Sequence, residues 1–171
     1  MPDRLRAGFR SLAADSPFHF SMSDSKPAGA YTATVLAFDF GARRIGVAVG
    51  DRALGIPHPL TTITAGGEQQ RYAALAALLA EWRPAVLVVG LPLQRDGSEH
   101  AMTRRCRNFA RQLQARFQLP VVLIDEHLTS ATADTLLKES GVAARKRKPR
   151  LDQVAAQQIL HDYFESLRDD A

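Results

Sequence analysis

The chain holds one cysteine, Cys106, in 171 residues. A lone thiol excludes an internal disulfide and a cysteine-built metal cluster, and it fits a reducing compartment. Long apolar runs are also missing. None approaches the ~20 residues that a bilayer-crossing helix needs, and no continuous apolar stretch follows the basic start at Arg4, Arg6 and Arg10. A membrane anchor and a secretory signal are therefore not expected, and the protein is expected to be soluble and cytoplasmic. Nor is there length for two large domains: 171 residues make one domain of ordinary size, able to bury its own core.

What is present is a globular composition, 46% apolar and 23% charged, with a formal net charge of +4 and a pI near 9.6. That balance leans toward polyanionic partners without requiring them. Residues 1–33 differ from the rest: polar and small side chains dominate from Ser21 to Thr34, with Pro27 and Gly29 as breakers. They read as a flexible leader before a folded domain at 34–171. Met22 is a candidate natural start, which N-terminal sequencing of the native protein would refute by finding Met1 or Pro2.

The domain is organised around Thr34 to Asp51, TVLAFDFGARRIGVAVGD. Val35 and Ala37 fall on one face and Leu36, Phe38 and Phe40 on the other, so the pattern predicts a strand buried from both sides. Asp39 interrupts it. A carboxylate there is costly to bury unless a cation meets it, although an aspartate at this point also suits a cap for the turn at Gly41 to Arg44. Strands at Ile45–Asp51 and Ile56–Ile63 follow after short turns, which predicts antiparallel hairpins, and the prolines of the third strand place it at an edge. The remaining order predicts a helix at Glu68–Trp82, a strand at Ala85–Leu91, a helix at Glu99–Phe117, a strand at Val121–Asp125 and two more helices, the last at Leu151–Leu167. Tyr72, Leu75, Leu78, Leu79 and Trp82 form one apolar stripe. Met102, Cys106, Phe109, Leu113 and Phe117 form another, which makes Cys106 a core residue. Helices between the later strands demand parallel crossovers. The expected fold is α/β: a mixed five-stranded sheet, three antiparallel then two parallel strands, with helices on both faces.

Two further acidic positions stand out. Asp125 and Glu126 end the fifth strand, at the edge where parallel strands present ligand-binding groups. Asp152 is expected in the first turn of the last helix, where capping alone would explain it. Together with Asp39, however, these acids suit Mg²⁺, which prefers octahedral oxygen ligands at about 2.0–2.1 Å and keeps several waters. Two such ions about 3.5–4 Å apart can activate water and stabilise the leaving oxygen of a phosphodiester.

The motifs LAFDFG (Leu36–Gly41), IGVAVGD (Ile45–Asp51), VVGLPL (Val88–Leu93), DGSE (Asp96–Glu99), IDEHLTS (Ile124–Ser130) and LDQVAAQQIL (Leu151–Leu160) resemble those of the YqgF family. The resemblance spans roughly residues 35–164 and implies an RNase H-like fold and a nuclease of pre-16S rRNA or of Holliday junctions. It implies that Asp39, Glu126 and Asp152 are the catalytic and metal-holding acids, with Mg²⁺ or Mn²⁺, two ions, as cofactor. His127 stands where the family usually carries arginine, so a phosphate or ion-pair contact there would be weaker or pH-dependent. Neighbouring residues on a strand face opposite ways, so only one of Asp125 and Glu126 can meet the metals, and Glu126 is preferred.

Basic residues fit a nucleic-acid partner. Arg145, Lys146, Arg147 and Lys148, with Arg150, form the densest cluster, and Arg43 and Arg44 lie in the first hairpin turn. Each group suits phosphate contact or plain solvation. Arg104, Arg107 and Arg111 read as a solvated helix face. The function expected is a metal-dependent endonuclease in 5′-end processing of pre-16S rRNA. The alternatives are a Holliday-junction resolvase acting on branched DNA, and a non-catalytic module binding RNA or a transcription factor. Structured precursor rRNA or branched DNA is the expected partner, and the protein is either a monomer or a homodimer. An actin-like kinase ranks a poor third, since the chain has no room for the second domain that would enclose ATP.

Overall fold

A computed structural model of the chain describes residues 33–64, 66–94, 96–126 and 144–171, with backbone only at 144–147. The leader, His127 and the helix expected just after the fifth strand lie outside the described residues. The elements are β1 (Thr34–Phe40), β2 (Arg44–Asp51), β3 (Ile56–Thr64), α1 (Glu68–Trp82), β4 (Val86–Pro92), α2 (Ala101–Phe117), β5 (Val121–Glu126) and α3 (Ala144–Asp169). The five strands form one sheet in the order β3-β2-β1-β4-β5. β1–β2 and β2–β3 are antiparallel, and β1–β4 and β4–β5 are parallel. The mixed sheet and the edge position of the proline-bearing β3 are as expected. The register slips between Val47, opposite Thr61, and Ala48, opposite Pro59, so Leu60 is passed over. A bulge beside a proline, which has no N–H for the ladder, fits an outermost strand.

The alternation of β1 splits the core in two. Leu36, Phe38 and Phe40 join the cluster formed with α1 and α2, through Leu75, Leu79, Cys106, Phe109 and Leu113. Val35 and Ala37 join Ala48, Val88 and the α3 residues Ala156, Ile159, Leu160, Tyr163 and Phe164 on the opposite face. Both stripes predicted for α1 and α2 therefore face the sheet.

The last helix differs from expectation. It begins at Ala144 rather than Leu151, so Asp152 lies well inside it and not in its first turn. Pro149 and the basic run suggest a loop in sequence. Yet alanine, arginine and lysine are good helix formers, and proline keeps a helical φ. The turn around Pro149 is also tied to the edge strand: the Thr62 hydroxyl donates to the Pro149 carbonyl at 2.7 Å, and Gln153 Nε2 donates to Thr62 Oγ1 at 3.2 Å. Capping does not account for Asp152. Nor does Asp39 close its turn, because the Gly41 N–H donates to the Arg44 carbonyl at 2.9 Å instead.

Candidate active site

Asp39 stands at the carboxyl end of β1 on the face that α3 covers, and two glycines clear the space around it. Gly46 is its cross-strand partner on β2. A Cβ at Gly46 would run into the backbone carbonyl of Asp152, so its absence lets α3 press onto the sheet and bring Asp152 to Asp39. On the other side lies Gly90 of β4, whose register partner on β5 is Ile124, two residues before Glu126. A Cβ at Gly90 would collide with Ile159 Cδ1 and stand 3.3 Å from Glu126 Oε2. Glu126 thus reaches over a gap left by glycine toward Asp39.

The electrostatics report the same convergence. Burial, then the charge of Glu126, then that of Asp152, push the Asp39 carboxyl from 3.8 up to about 8. Burial also raises Glu126. Asp125, by contrast, is exposed. Of the two neighbouring acids, Glu126 is therefore the one that shares a field with Asp39. The buried Cys106 thiol lies behind this group. Burial and then the charges of Glu126 and Asp39 push it up to about 12, which leaves it protonated and inert as a nucleophile.

Asp152 already has a cationic partner. Arg44 Nε donates to its Oδ2 at 2.7 Å, with both side chains partly buried. Arg44, expected at phosphate, is thus engaged with an acid, whereas Arg43 beside it is exposed. Among the described residues, no group of three His, Cys, Asp and Glu side chains stands ready to hold a metal ion. The donor chemistry still suits a hard cation: Asp39 and Glu126 supply carboxylate oxygens whose mutual repulsion a dication relieves, and Asp152 is close enough to Asp39 to act on its charge.

The basic run is part of α3. Lys148 and Arg150 are exposed, and the side chains of Arg145, Lys146 and Arg147 lie outside the described residues. The DGSE motif is a turn rather than a reactive group, with Asp96 Oδ1 accepting from Ser98 N at 2.9 Å and Ser98 Oγ at 2.6 Å. Just beyond it His100 Nδ1 caps α2, accepting from Met102 N at 3.2 Å, and the Thr103 hydroxyl donates to the Pro92 carbonyl. These bonds pin α2 to the end of β4 beside the acids. What motif reading passes over is the set of glycines. Gly46, Ala48 and Gly50 leave one face of β2 small throughout, and that alternation is the sequence signal for a closely packed helix.

A family model described as "RuvX: Holliday junction resolvase" matches residues 33–166. A protein of Methylobacillus flagellatus named "Putative pre-16S rRNA nuclease" is 56% identical over 142 residues, 83% of this chain and 97% of its own length. A protein of the same name from Chromobacterium violaceum is 58% identical over 131 residues, 76% of this chain and 96% of its own. Two solved structures share the fold. The fowlpox virus resolvase with Holliday junction DNA aligns with a TM-score of 0.53 at 10% identity, covering 78% of this chain and 98% of that one. Thermus thermophilus RuvC with a Holliday junction substrate aligns with a TM-score of 0.51 at 16% identity, covering 80% of this chain and 96% of that one. The fold is thus the RNase H-like one, and the chain belongs to the RuvX (YqgF) family of nucleases.

Proposed function

We propose that this chain is a metal-dependent endonuclease that trims the 5′ end of pre-16S rRNA, with Asp39, Glu126 and Asp152 as its catalytic acids. The observation that carries this is the shared field of Asp39 on β1, Glu126 on β5 and Asp152 on α3: burial and the charges of the other two push Asp39 up to about 8. Such an arrangement is unfavourable without a counter-cation and serves a cation-assisted reaction. Mg²⁺ or Mn²⁺ bound by these acids, as two ions in the full site, would lower the pKa of water and stabilise charge on the reacting phosphate. The chain's own part is to orient the cation through Asp39 and Glu126 and to bring Asp152 up on α3, which Gly46 lets approach the sheet. The choice of precursor rRNA follows the name that the relatives at 56% and 58% identity carry.

The family description favours a second substrate, a four-way DNA junction. A junction resolvase must cut two strands and so needs two active sites, as in a homodimer, whereas a trimming nuclease can act as a monomer. The test offers pre-16S leader RNA and a four-way DNA junction to wild type and Asp39→Asn with Mg²⁺ or Mn²⁺. Metal-dependent cutting of the RNA that falls by at least about 10²-fold in the variant is the expected result. Symmetric cutting of the junction alone transfers the function to branched DNA. Binding of either without cutting, in wild type and variant alike, reduces the protein to a binding module.

A further inference from the structure

Successive residues of β1 point to opposite faces, so the residue after Asp39 carries the sheet edge to the other side. That residue is Phe40. Phe109 of α2 stacks on its ring with centroids 4.6 Å apart and planes at 26°. Two guanidiniums from different helices share what remains of the ring: Arg71 of α1 at 5.4 Å from its centroid and Arg105 of α2 at 6.0 Å. Arg71 is further held by donating from Nη2 to the Ala42 carbonyl in the hairpin turn at 3.0 Å. Among the described residues the ion pairs use Arg44, Arg107, Arg116, His161 and Arg168, and neither Arg71 nor Arg105 meets a carboxylate.

Two like charges gathered on one ring repel each other, and an aromatic face returns only about 0.5–1 kcal/mol for each at an exposed site. An anion between them removes that repulsion. The position is specific as well. Phe40 directly follows Asp39 at the carboxyl end of β1, so the arginines on its ring stand at the end of the sheet that carries Asp39. Exposed Lys148 and Arg150 of α3 lie on the opposite face of the same sheet. Cations thus stand on both faces of the sheet, and the α1 and α2 side is the one no motif marks.

We propose that Arg71 and Arg105, held by Phe40, form a phosphate-binding subsite that grips the nucleic-acid backbone next to the scissile phosphate, on the α1 and α2 side of the sheet edge. This rests on the nuclease reading. The two arginines contact phosphate only, so they set the position of the strand and carry no sequence preference.

The test measures binding of a fluorescent pre-16S leader RNA fragment by anisotropy in EDTA, across a KCl series, for Arg71→Gln, Arg105→Gln, the double variant and Arg104→Gln. Thermal melts select variants that fold like wild type. Each single change is expected to weaken binding about three- to tenfold and to flatten the slope of log K against log salt by about 0.7–0.9, with the double variant losing about twice that slope. Arg105→Lys restores the slope, while the exposed neighbour Arg104→Gln leaves it unchanged. Wild-type affinity and slope in the double variant overturn the subsite. So does an equal loss from Arg104→Gln, which would mean diffuse attraction rather than a built site. A wild-type protein that binds neither this RNA nor a four-way DNA junction, with Ca²⁺ in place of EDTA, overturns the nuclease reading itself.

Discussion

The two faces of the sheet are built on different terms. Toward α1 and α2 the strands present Leu36, Phe38, Ile45, Val47, Leu87 and Val89, large side chains that fill a deep apolar layer. Toward α3 they present Ala37, Gly46, Ala48, Gly50 and Gly90, with acids at the carboxyl end. Large side chains hold a helix at a distance and maximise buried area. Small ones let the backbone of α3 approach until a carboxylate on it can act together with carboxylates on β1 and β5. One face serves mainly stability, and the other gives up side-chain volume for proximity of charge.

That contrast can be broken from either side. Leu113→Ala removes a fully buried side chain from the thicker layer and is expected to lower unfolding free energy by about 2–5 kcal/mol. Urea denaturation reads this loss, and the folded fraction should keep its cleavage rate. Gly46→Ala acts on the thinner layer. Overpacking there is expected to cost about 1–3 kcal/mol, and the displacement of Asp152 should cut hydrolysis by about 10²-fold. A variant with normal turnover would show that the close approach of α3 is not needed for chemistry.

The pH dependence sharpens the contrast further. Asp39 binds its proton more tightly folded than unfolded, with its carboxyl raised from 3.8 to about 8. Its stabilising contribution is complete below the unfolded value and is lost as pH rises through the folded one. Burial raises Glu126 in the same direction. Metal-free protein should therefore lose stability as pH rises from about 4 to 8, and Asp39→Asn should flatten that fall in urea titrations with EDTA. A steeper or unchanged slope in the variant would remove Asp39 from the coupled group. The smallest effect is expected at Arg44. Its pair with Asp152 is partly exposed, so Arg44→Ala should cost no more than about 1 kcal/mol in stability.

Much of this architecture is legible in the sequence. The alternation of β1 assigns Val35 and Ala37 to one core cluster and Leu36, Phe38 and Phe40 to the other, because strand side chains alternate by a fixed geometry. The bounds of α1, Glu68–Trp82, follow from Gly66 and Gly67 before it and Pro84 after it. The start of α3 is not legible in the same way. Local signals at Pro149 and the basic run point to a loop, while bonds from Thr62 and Gln153, distant in sequence, hold the turn there.

The sequence by itself determined the strand order of the hairpins, the parallel crossovers and the chemical identity of the candidate acids, since these follow from periodicity, turn length and residue type. Only the tertiary structure decided which acids share a field. Glu126 rather than Asp125 turns toward Asp39, and Asp152 comes forward from inside a helix because Gly46 lets that helix approach. Arg44, half-buried, pairs with Asp152. Arg71 and Arg105 meet over Phe40. Each of these depends on distances between segments far apart in the chain, and charge interactions and close packing are set by such distances, which no local pattern encodes.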